Sequence, residues 1–211
     1  MSKTVARKIA RPAKSTSTDA GSLYAADGGR KYLNRDERRR VLAAIASLEP
    51  ERALFALTLA WTGARVSEVL ALTPASFQIE RGLVSVRTLK RRAPRVREVP
   101  LPPQLVEALD RQFHLSAAQR EIELASQRIW PWCRQTAWRV TKAAMGQAGV
   151  VGRPACPRGL RHGFGVGALQ ASVPLNLVQR WLGHARISTT AIYADASGPE
   201  ERGFAARFWT L

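Results

Sequence analysis

The most informative segment for the fold lies in the last third of the chain. It reads Arg158-Gly159-Leu160-Arg161-His162, then Leu182-Gly183-His184, then Ser188-Thr189-Thr190-Ala191-Ile192-Tyr193. Helix start and stop signals place these three segments on consecutive short helices, with Gly183 ending one of them and Ser188 or Thr189 capping the next. We therefore interpret the rest of the chain as the scaffold that brings their polar side chains together.

Outside this segment, apolar residues recur mostly at helical intervals. Asn34 and Glu37 have the spacing of a capping box at the start of a first helix. Between Phe77 and Leu101 the period changes to two, which predicts a small antiparallel sheet with a basic hairpin tip around Lys90. The sequence thus predicts a mainly α fold with a small antiparallel β-sheet (α+β), its further helices covering residues 51–61, 65–72, 103–113, 133–149, 158–171 and 200–208.

The charge of the chain indicates a polyanionic partner. Its 211 residues include 33 Lys and Arg against 16 Asp and Glu, a formal net charge of +17. We favour nucleic acid over an acidic membrane, because no basic amphipathic anchor and no apolar run of about 18 residues is present. Cys133 and Cys156 lie in no ligand cluster, so neither a structural zinc nor a disulfide framework is expected, and a reducing cytoplasm is predicted.

The composition divides the chain into three parts. Residues 1–31 are rich in Lys, Arg, Ser, Ala and Gly without a helical or strand period, which predicts a basic disordered arm. Such an arm either lies along phosphates or is a solvated tail, and composition leaves both open. Residues 32–197 form the predicted folded domain. Residues 198–211 form a C-terminal helix or tail, with an apolar stripe at Phe204, Ala205 and Phe208.

The polar side chains of the folded domain match the chemistry of phosphodiester cleavage by a tyrosine. The phenol must lose a proton, the phosphorane charge must be stabilised, and the leaving oxygen must gain a proton. Arginine suits the second task because its fork contacts two phosphate oxygens and its charge does not titrate. Arg65 and Arg161 are the candidates for it. Lys90 is a candidate donor to the leaving oxygen, and His184 a candidate phosphate contact.

Four motifs in order resemble the signature of the tyrosine recombinase (phage integrase) family. They begin at Thr62-Gly63-Ala64-Arg65-Val66-Ser67-Glu68 and continue at Leu160-Arg161-His162, Leu182-Gly183-His184 and Thr189-Thr190-Ala191-Ile192-Tyr193. The resemblance implies the family's catalytic-domain fold and a 3′-phosphotyrosine intermediate, without ATP, metal or other cofactor. It also implies double-stranded DNA at a specific site as the substrate and a tetramer on two paired sites, with accessory DNA-bending proteins as further candidate partners.

The resemblance also implies a role for each site residue. Tyr193 is the nucleophile, Arg65 and Arg161 hold the phosphate, Lys90 is the general acid, and His184 supports the phosphate. Behind them, Glu68 and His162 act as a second layer. The arginines expected to bind DNA from the hairpin are Arg87, Arg91, Arg92, Arg95 and Arg97.

Two features depart from the usual family pattern. Arg158 stands where the family most often has a histidine, and a guanidinium binds phosphate but does not accept the proton of a tyrosine. A lysine occupies this position in type IB topoisomerases, so a cation is a known kind of variant. In addition, the residues before Leu33 are too few for the family's core-binding domain. The chain thereby resembles short, catalytic-domain-only members such as fimbrial phase-switch invertases.

We expect a cytoplasmic, nucleoid-associated enzyme that performs site-specific recombination by integration, excision, inversion or resolution. Two alternatives stay open at this point. One is an inactive recombinase-like protein that binds DNA as an accessory or regulator, which Arg158 favours. The other is a topoisomerase IB-like enzyme that relaxes DNA without exchanging strands between partners. The complete set of Arg65, Lys90, Arg161, His184 and Tyr193 argues against the inactive binder, because binding alone needs no nucleophilic tyrosine, whereas DNA relaxation without recombinant products would identify the topoisomerase-like enzyme.

Overall fold

The computed structural model describes residues 22–89, 95–195 and 199–209. Most regular elements are helices and three short strands form one small sheet, which confirms the predicted α+β class. Short 3-10 turns at Pro74–Ser76 and Ile192–Asp195 complete the regular elements. In chain order these are α1 Arg35–Ala46, α2 Pro50–Thr62, α3 Val66–Val69, β1 Phe77–Gln78, β2 Leu83–Arg87, β3 Val96–Pro100, α4 Pro103–Phe113, α5 Leu115–Ala118, α6 Ile122–Ser126, α7 Arg134–Gln147, α8 Pro157–Gln170, α9 Leu175–Leu182, α10 Ser188–Ala191 and α11 Pro199–Trp209.

The sheet is antiparallel with the strand order β1-β2-β3. Val84 pairs with Val99, and Val86 pairs with Arg97 on the same face. Because successive residues of a strand point to opposite faces, this register places Val84, Val86 and Val99 in the core. The antiparallel sheet predicted from the alternating apolar residues between Phe77 and Leu101 is therefore confirmed.

The central element of the main core is α2, which is buried on most sides. Phe55, Ala56 and Ala60 are fully enclosed, and α2 contacts α1, α4, α7 and α8. At the start of α1, the Asn34 side chain accepts from the Glu37 N–H while the Glu37 carboxylate accepts from the Asn34 N–H. The capping box predicted from the sequence is confirmed, and it fixes where the first helix begins.

A smaller cluster forms beneath α8 and α9, and the segment before α1 belongs to it. Leu23 and Tyr32 are buried there together with Phe164, Val178 and Tyr193. The prediction of a disordered arm through Lys31 is thus wrong for residues 22–31. Their apolar side chains pack against α8 and α9, and the segment folds back on itself through a bridge between Tyr24 and Arg30. The arm prediction for residues 1–21 lies outside the described residues.

Two further details differ from the sequence-based expectations. The short α10 follows Ile187, and neither Ser188 nor Thr189 caps it with a side-chain hydrogen bond, because both lie inside the helix. The terminal helix α11 contacts α8 and exposes Phe208 (74%) and Trp209 (71%) to solvent. Among the described helices, none is long and apolar enough to cross a membrane.

Candidate active site

Arg161 joins the ends of two helices at the centre of the candidate site. It lies in the first turns of α8, where Pro157 sets the start of the helix. Its Nη1 donates to the Gly63 carbonyl at the end of α2, and its Nη2 donates to the Leu182 carbonyl at the end of α9, at 2.8 Å. Helix C-termini carry unpaired carbonyls and partial negative charge, so a buried guanidinium is stable between them.

A chain of charges connects Arg65 to the sheet. Arg65 precedes α3, and its Nη1 contacts Glu68 Oε1 at 2.8 Å. The other oxygen of Glu68 accepts from the Arg65 N–H at 3.0 Å and from Arg97 Nη2 at 2.7 Å. The Glu68 side chain is 1% exposed, whereas the Arg65 side chain is 30% exposed. Glu68 therefore orients Arg65 while leaving part of its guanidinium accessible to a ligand.

Arg97 was expected among the DNA-binding arginines, and that expectation is wrong. It is only 6% exposed, and besides Glu68 it donates to the Trp181 carbonyl at 2.6 Å and to the Thr88 hydroxyl at 3.2 Å. The pleat of β3 places it on the inner face beside Val99. Its guanidinium thus links the sheet to the C-terminus of α9.

Gly183 gives the chain the turn that presents His184. It ends α9 in the left-handed conformation (φ 68°), which glycine adopts without steric cost. A side chain at this position would also meet Arg97, whose Nη1 lies 3.0 Å from an ideal Cβ. The following His184 ring is held by Thr190, whose hydroxyl lies 2.9 Å from Nδ1.

Tyr193 lies in the 3-10 turn after α10, with its ring against α8. It is 1% exposed, and an ideal Cβ on Gly165 would stand 2.7 Å from its Cε2 and Cζ atoms. The absence of a side chain at Gly165 is what admits the ring. The tyrosine ring also lies near-parallel to the His184 ring, and the two ring centroids are 6.2 Å apart.

The hydroxyl of Tyr193 hydrogen-bonds His162. Its Oη lies 3.2 Å from His162 Nδ1, and the two ring planes are inclined by 54°. His162, expected in a second layer, instead touches the candidate nucleophile directly. Because His162 follows Arg161 on α8, one helix supplies the phosphate-binding candidate and the partner of the tyrosine.

Positive charge and burial set the protonation states in the site. Burial first, and the neighbouring Arg161 charge second, lower the pKa of His162 to about 4 and that of His184 to about 3. Burial raises the pKa of Tyr193, against the opposing effect of Arg161 and Arg65. Burial alone would raise the pKa of Glu68, but Arg97 and the Arg65 N–H outweigh it and lower that pKa. At neutral pH the site therefore holds neutral histidines, a neutral tyrosine and an ionised Glu68.

The structure does not bring every predicted site residue together. Lys90, Arg91 and Arg92 lie outside the described residues. Arg87 and Arg95 are exposed where the hairpin strands end and begin, so their expected DNA contact stays a prediction. Arg158 is exposed on α8 and lowers the pKa of His162 by its charge. Within residues 22–89, 95–195 and 199–209, no three His, Cys, Asp or Glu side chains group as metal ligands.

Sequence reasoning missed two features of this site, and each left a signal. Arg97 has the same parity along β3 as Val99 and Leu101, and this alternation predicts an inward position. Leu23 and Tyr24 are large apolar or aromatic side chains in a segment of mostly small and polar residues, which favours packing on the domain over a solvated tail. In both cases the position of the apolar residues indicates the fold better than the net charge does.

Comparison with known proteins places this geometry in a family. The model of the phage integrase family matches residues 31–199. The chain belongs to the phage integrase family. Within it, the chain is 32% identical over 170 residues to tyrosine recombinase XerA of Thermococcus onnurineus (strain NA1), and 31% over 177 residues to tyrosine recombinase XerD of Haemophilus ducreyi (strain 35000HP). Each match covers 79% of this chain and 58% of the relative, so the chain spans less than three fifths of their length.

Solved structures of phage integrase family members share the fold. A crystal structure of XerA recombinase superposes with a TM-score of 0.70 at 24% identity, covering 84% of this chain and 64% of the other. The catalytic domain of bacteriophage HP1 integrase superposes with a TM-score of 0.59 at 20% identity, covering 84% of this chain and 94% of the other. The architecture described above is therefore that of the family's catalytic domain. The comparison with fimbrial phase-switch invertases stays a prediction.

Proposed function

We propose that this protein is a site-specific DNA recombinase that cuts and rejoins DNA through a covalent 3′-phosphotyrosine on Tyr193. The observation that carries the proposal is the convergence of four side chains on the tyrosine. His162 bonds its hydroxyl, His184 lies against its ring, and the charges of Arg65 and Arg161 act on it. These are the nucleophile and the cationic surroundings that phosphodiester cleavage requires.

In this proposal, Arg65 and Arg161 hold the scissile phosphate. A guanidinium has five N–H donors, and the contacts described above engage only some of them. The pKa of Arg161 is lowered to about 10 by burial, so it stays charged at neutral pH. Both arginines are fixed before DNA arrives, one by Glu68 and one by two helix ends. Donors fixed in this way stabilise the charge of the phosphorane with little reorganisation.

The leaving 5′-oxygen requires a proton, and we assign that donation to Lys90. The residue belongs to the segment that connects β2 with β3, and both the basic hairpin pattern and the family resemblance point to it. His184 supports the phosphate in the proposal, because its Nδ1 is engaged by Thr190 and its Nε2 is the remaining ring nitrogen. The exposed Arg87 and Arg95, at the described ends of the hairpin strands, agree with DNA as the substrate.

Access to Tyr193 requires a movement of its cover. The ring is 1% exposed, so a phosphodiester reaches Oη only after neighbouring side chains withdraw. Leu23 and Tyr32 of the N-terminal segment belong to the same buried cluster. We propose that DNA binding displaces part of this cover. Because Tyr193 is enclosed until the substrate binds, it does not react with phosphodiesters outside the bound DNA site.

Several wider statements belong to the same proposal. Residues 32–197 act as the catalytic domain, and their substrate is double-stranded DNA at a specific site. The active form is a tetramer on two DNA sites, located at the nucleoid in the cytoplasm. Accessory DNA-bending proteins are candidate partners. XerH recombinase bound to its difH substrate superposes on this chain with a TM-score of 0.67 at 23% identity. The exposed Phe208 and Trp209 offer α11 an apolar surface for a neighbouring protomer.

The test is to trap the covalent intermediate. The purified protein is incubated with nicked duplexes from the DNA around its own gene, denatured with SDS, and assayed for protein that stays attached to DNA. We expect an adduct with the wild type and none with Tyr193→Phe, which keeps the ring and loses only the hydroxyl. Tight binding without an adduct on any nicked duplex would refute the enzymatic proposal and favour a DNA-binding regulator.

A further inference from the structure

We propose that His162 is a catalytic residue, the base that accepts the proton of Tyr193 during cleavage. The inference rests on the proposed function and assigns a step that Arg158 does not perform. Residues 158 and 162 are four apart on α8, so their side chains lie on the same face, one turn from each other. In this proposal the proton acceptor is therefore one helical turn away from the position where the family most often has a histidine.

The contact between His162 and Tyr193 is the first support. Nδ1 lies 3.2 Å from Oη, at the limit of the distance expected for a general base and the group it deprotonates. The catalytic atom is therefore already in place in the free protein. For Nδ1 to accept a proton, the neutral ring must carry its hydrogen on Nε2.

The other polar groups near the tyrosine are less suited to this task. The Nδ1 atom of His184 is hydrogen-bonded to the Thr190 hydroxyl, and the His184 ring lies near-parallel to the tyrosine ring. Arg161 and Arg65 are charged and serve only as donors. Arg158 is likewise a donor and is exposed to solvent. Among these groups His162 combines an acceptor nitrogen with contact to the reacting oxygen.

The charges that face His162 decide when it acts. Arg158 and Arg161 on its own helix and Lys31 from the N-terminal segment are cations, while His184 and Tyr193 are neutral. In the free protein these cations and burial keep the ring unprotonated, with a pKa of about 4. A bound phosphodiester adds negative charge beside the ring and raises that pKa. DNA binding thus makes His162 a stronger base at the moment the base is needed.

The proposed step balances as follows. The Oη proton passes to His162 Nδ1 while an oxygen electron pair forms the bond to phosphorus. The bond from phosphorus to the 5′-oxygen breaks, and that oxygen takes a proton from the general acid assigned to Lys90. His162 returns its proton to the tyrosine when the 5′-hydroxyl of the partner strand reverses the reaction. No oxidant, metal or nucleotide takes part.

The pH dependence of cleavage distinguishes a base from a residue that only positions the ring. We would compare His162→Asn with the wild type in single turnovers, at saturating protein, on a nicked duplex that gives the wild-type adduct. At pH 7 the variant should be about 10²-fold slower or more. Its rate should then rise by about tenfold per pH unit toward pH 9, because only the ionised tyrosine reacts. The wild-type rate should level off once His162 is unprotonated.

A matched control and a second readout complete the design. His114→Asn changes an exposed histidine outside the site, at a left-handed position that Asn tolerates, and should leave the rate unchanged. Without DNA, imidazole ¹⁵N signals of His162 should show an unprotonated Nδ1. A protonated Nδ1, or a His162→Asn profile parallel to that of the wild type, overturns the inference. An absent wild-type adduct instead refutes the proposed function, so the two failures are distinguishable.

Discussion

Replacing Gly165 with alanine should displace the Tyr193 ring and slow cleavage about 100-fold. The added Cβ would stand 2.7 Å from ring atoms of the tyrosine. Ordinary contact between carbon atoms needs about 3.5 Å, so the ring must retreat by roughly 0.8 Å. A misplacement of about 1 Å at a reacting group costs on the order of 10²-fold in rate. The measurement is the single-turnover rate of adduct formation on the nicked duplex.

Gly167→Ala is the matched control on the same helix. An added Cβ there would approach Arg38 at 3.8 Å, an ordinary contact, so the rate should be unchanged. The DNA affinity of both variants should match that of the wild type, because neither substitution changes a charge. A Gly165→Ala variant that forms the adduct at the wild-type rate would refute the claim that Gly165 positions Tyr193.

Stability separates the steric effect from a general loss of fold. Alanine in a helix interior is favoured over glycine by about 1 kcal/mol. In Gly165→Ala this gain in stability is opposed by a destabilisation of about 1–3 kcal/mol, because the added methyl group overpacks against the tyrosine ring. In a Tyr193→Ala background the clash disappears, and the same substitution should stabilise the protein. Urea unfolding of the four variants in this cycle measures the difference.

Two further predictions concern the charges around the site. Arg97→Gln removes one of the cations that pair with the buried Glu68 and should lower the free energy of unfolding by about 3 kcal/mol. The control Arg95→Gln changes an exposed arginine and should alter the free energy of unfolding by less than about 0.5 kcal/mol. Urea unfolding measures both. Because the folded-state pKa values of His162 and His184 lie below the unfolded value, the unfolded chain binds more protons in acid. Their contribution to stability is complete above about pH 6.5 and is lost as pH falls toward 4 and 3. In a variant with both His162→Asn and His184→Asn, the free energy of unfolding should fall less steeply as pH decreases over this window. A pH slope equal to that of the wild type in urea unfolding would contradict the pKa shifts.

Much of the fold was predictable because local patterns determine it. The capping box at Asn34, the glycine that ends α9 and the alternation between Phe77 and Leu101 each depend on residues close in sequence. Helix and strand identity followed from them. The order of four motifs also indicated a tyrosine nucleophile with Arg65 and Arg161 before any contact was known.

Tertiary packing determines which charged side chains face the core and which atom touches the tyrosine. Arg97 and Arg95 look alike as cations in one hairpin, yet β3 buries one against Glu68 and the Trp181 carbonyl and exposes the other. In the same way, the approach of Tyr193 to His162 depends on packing across α8. The set of reactive groups follows directly from the sequence, since chemistry depends on residue type. Their pairing depends on contacts between residues far apart in the chain, and these exist only after the helices pack.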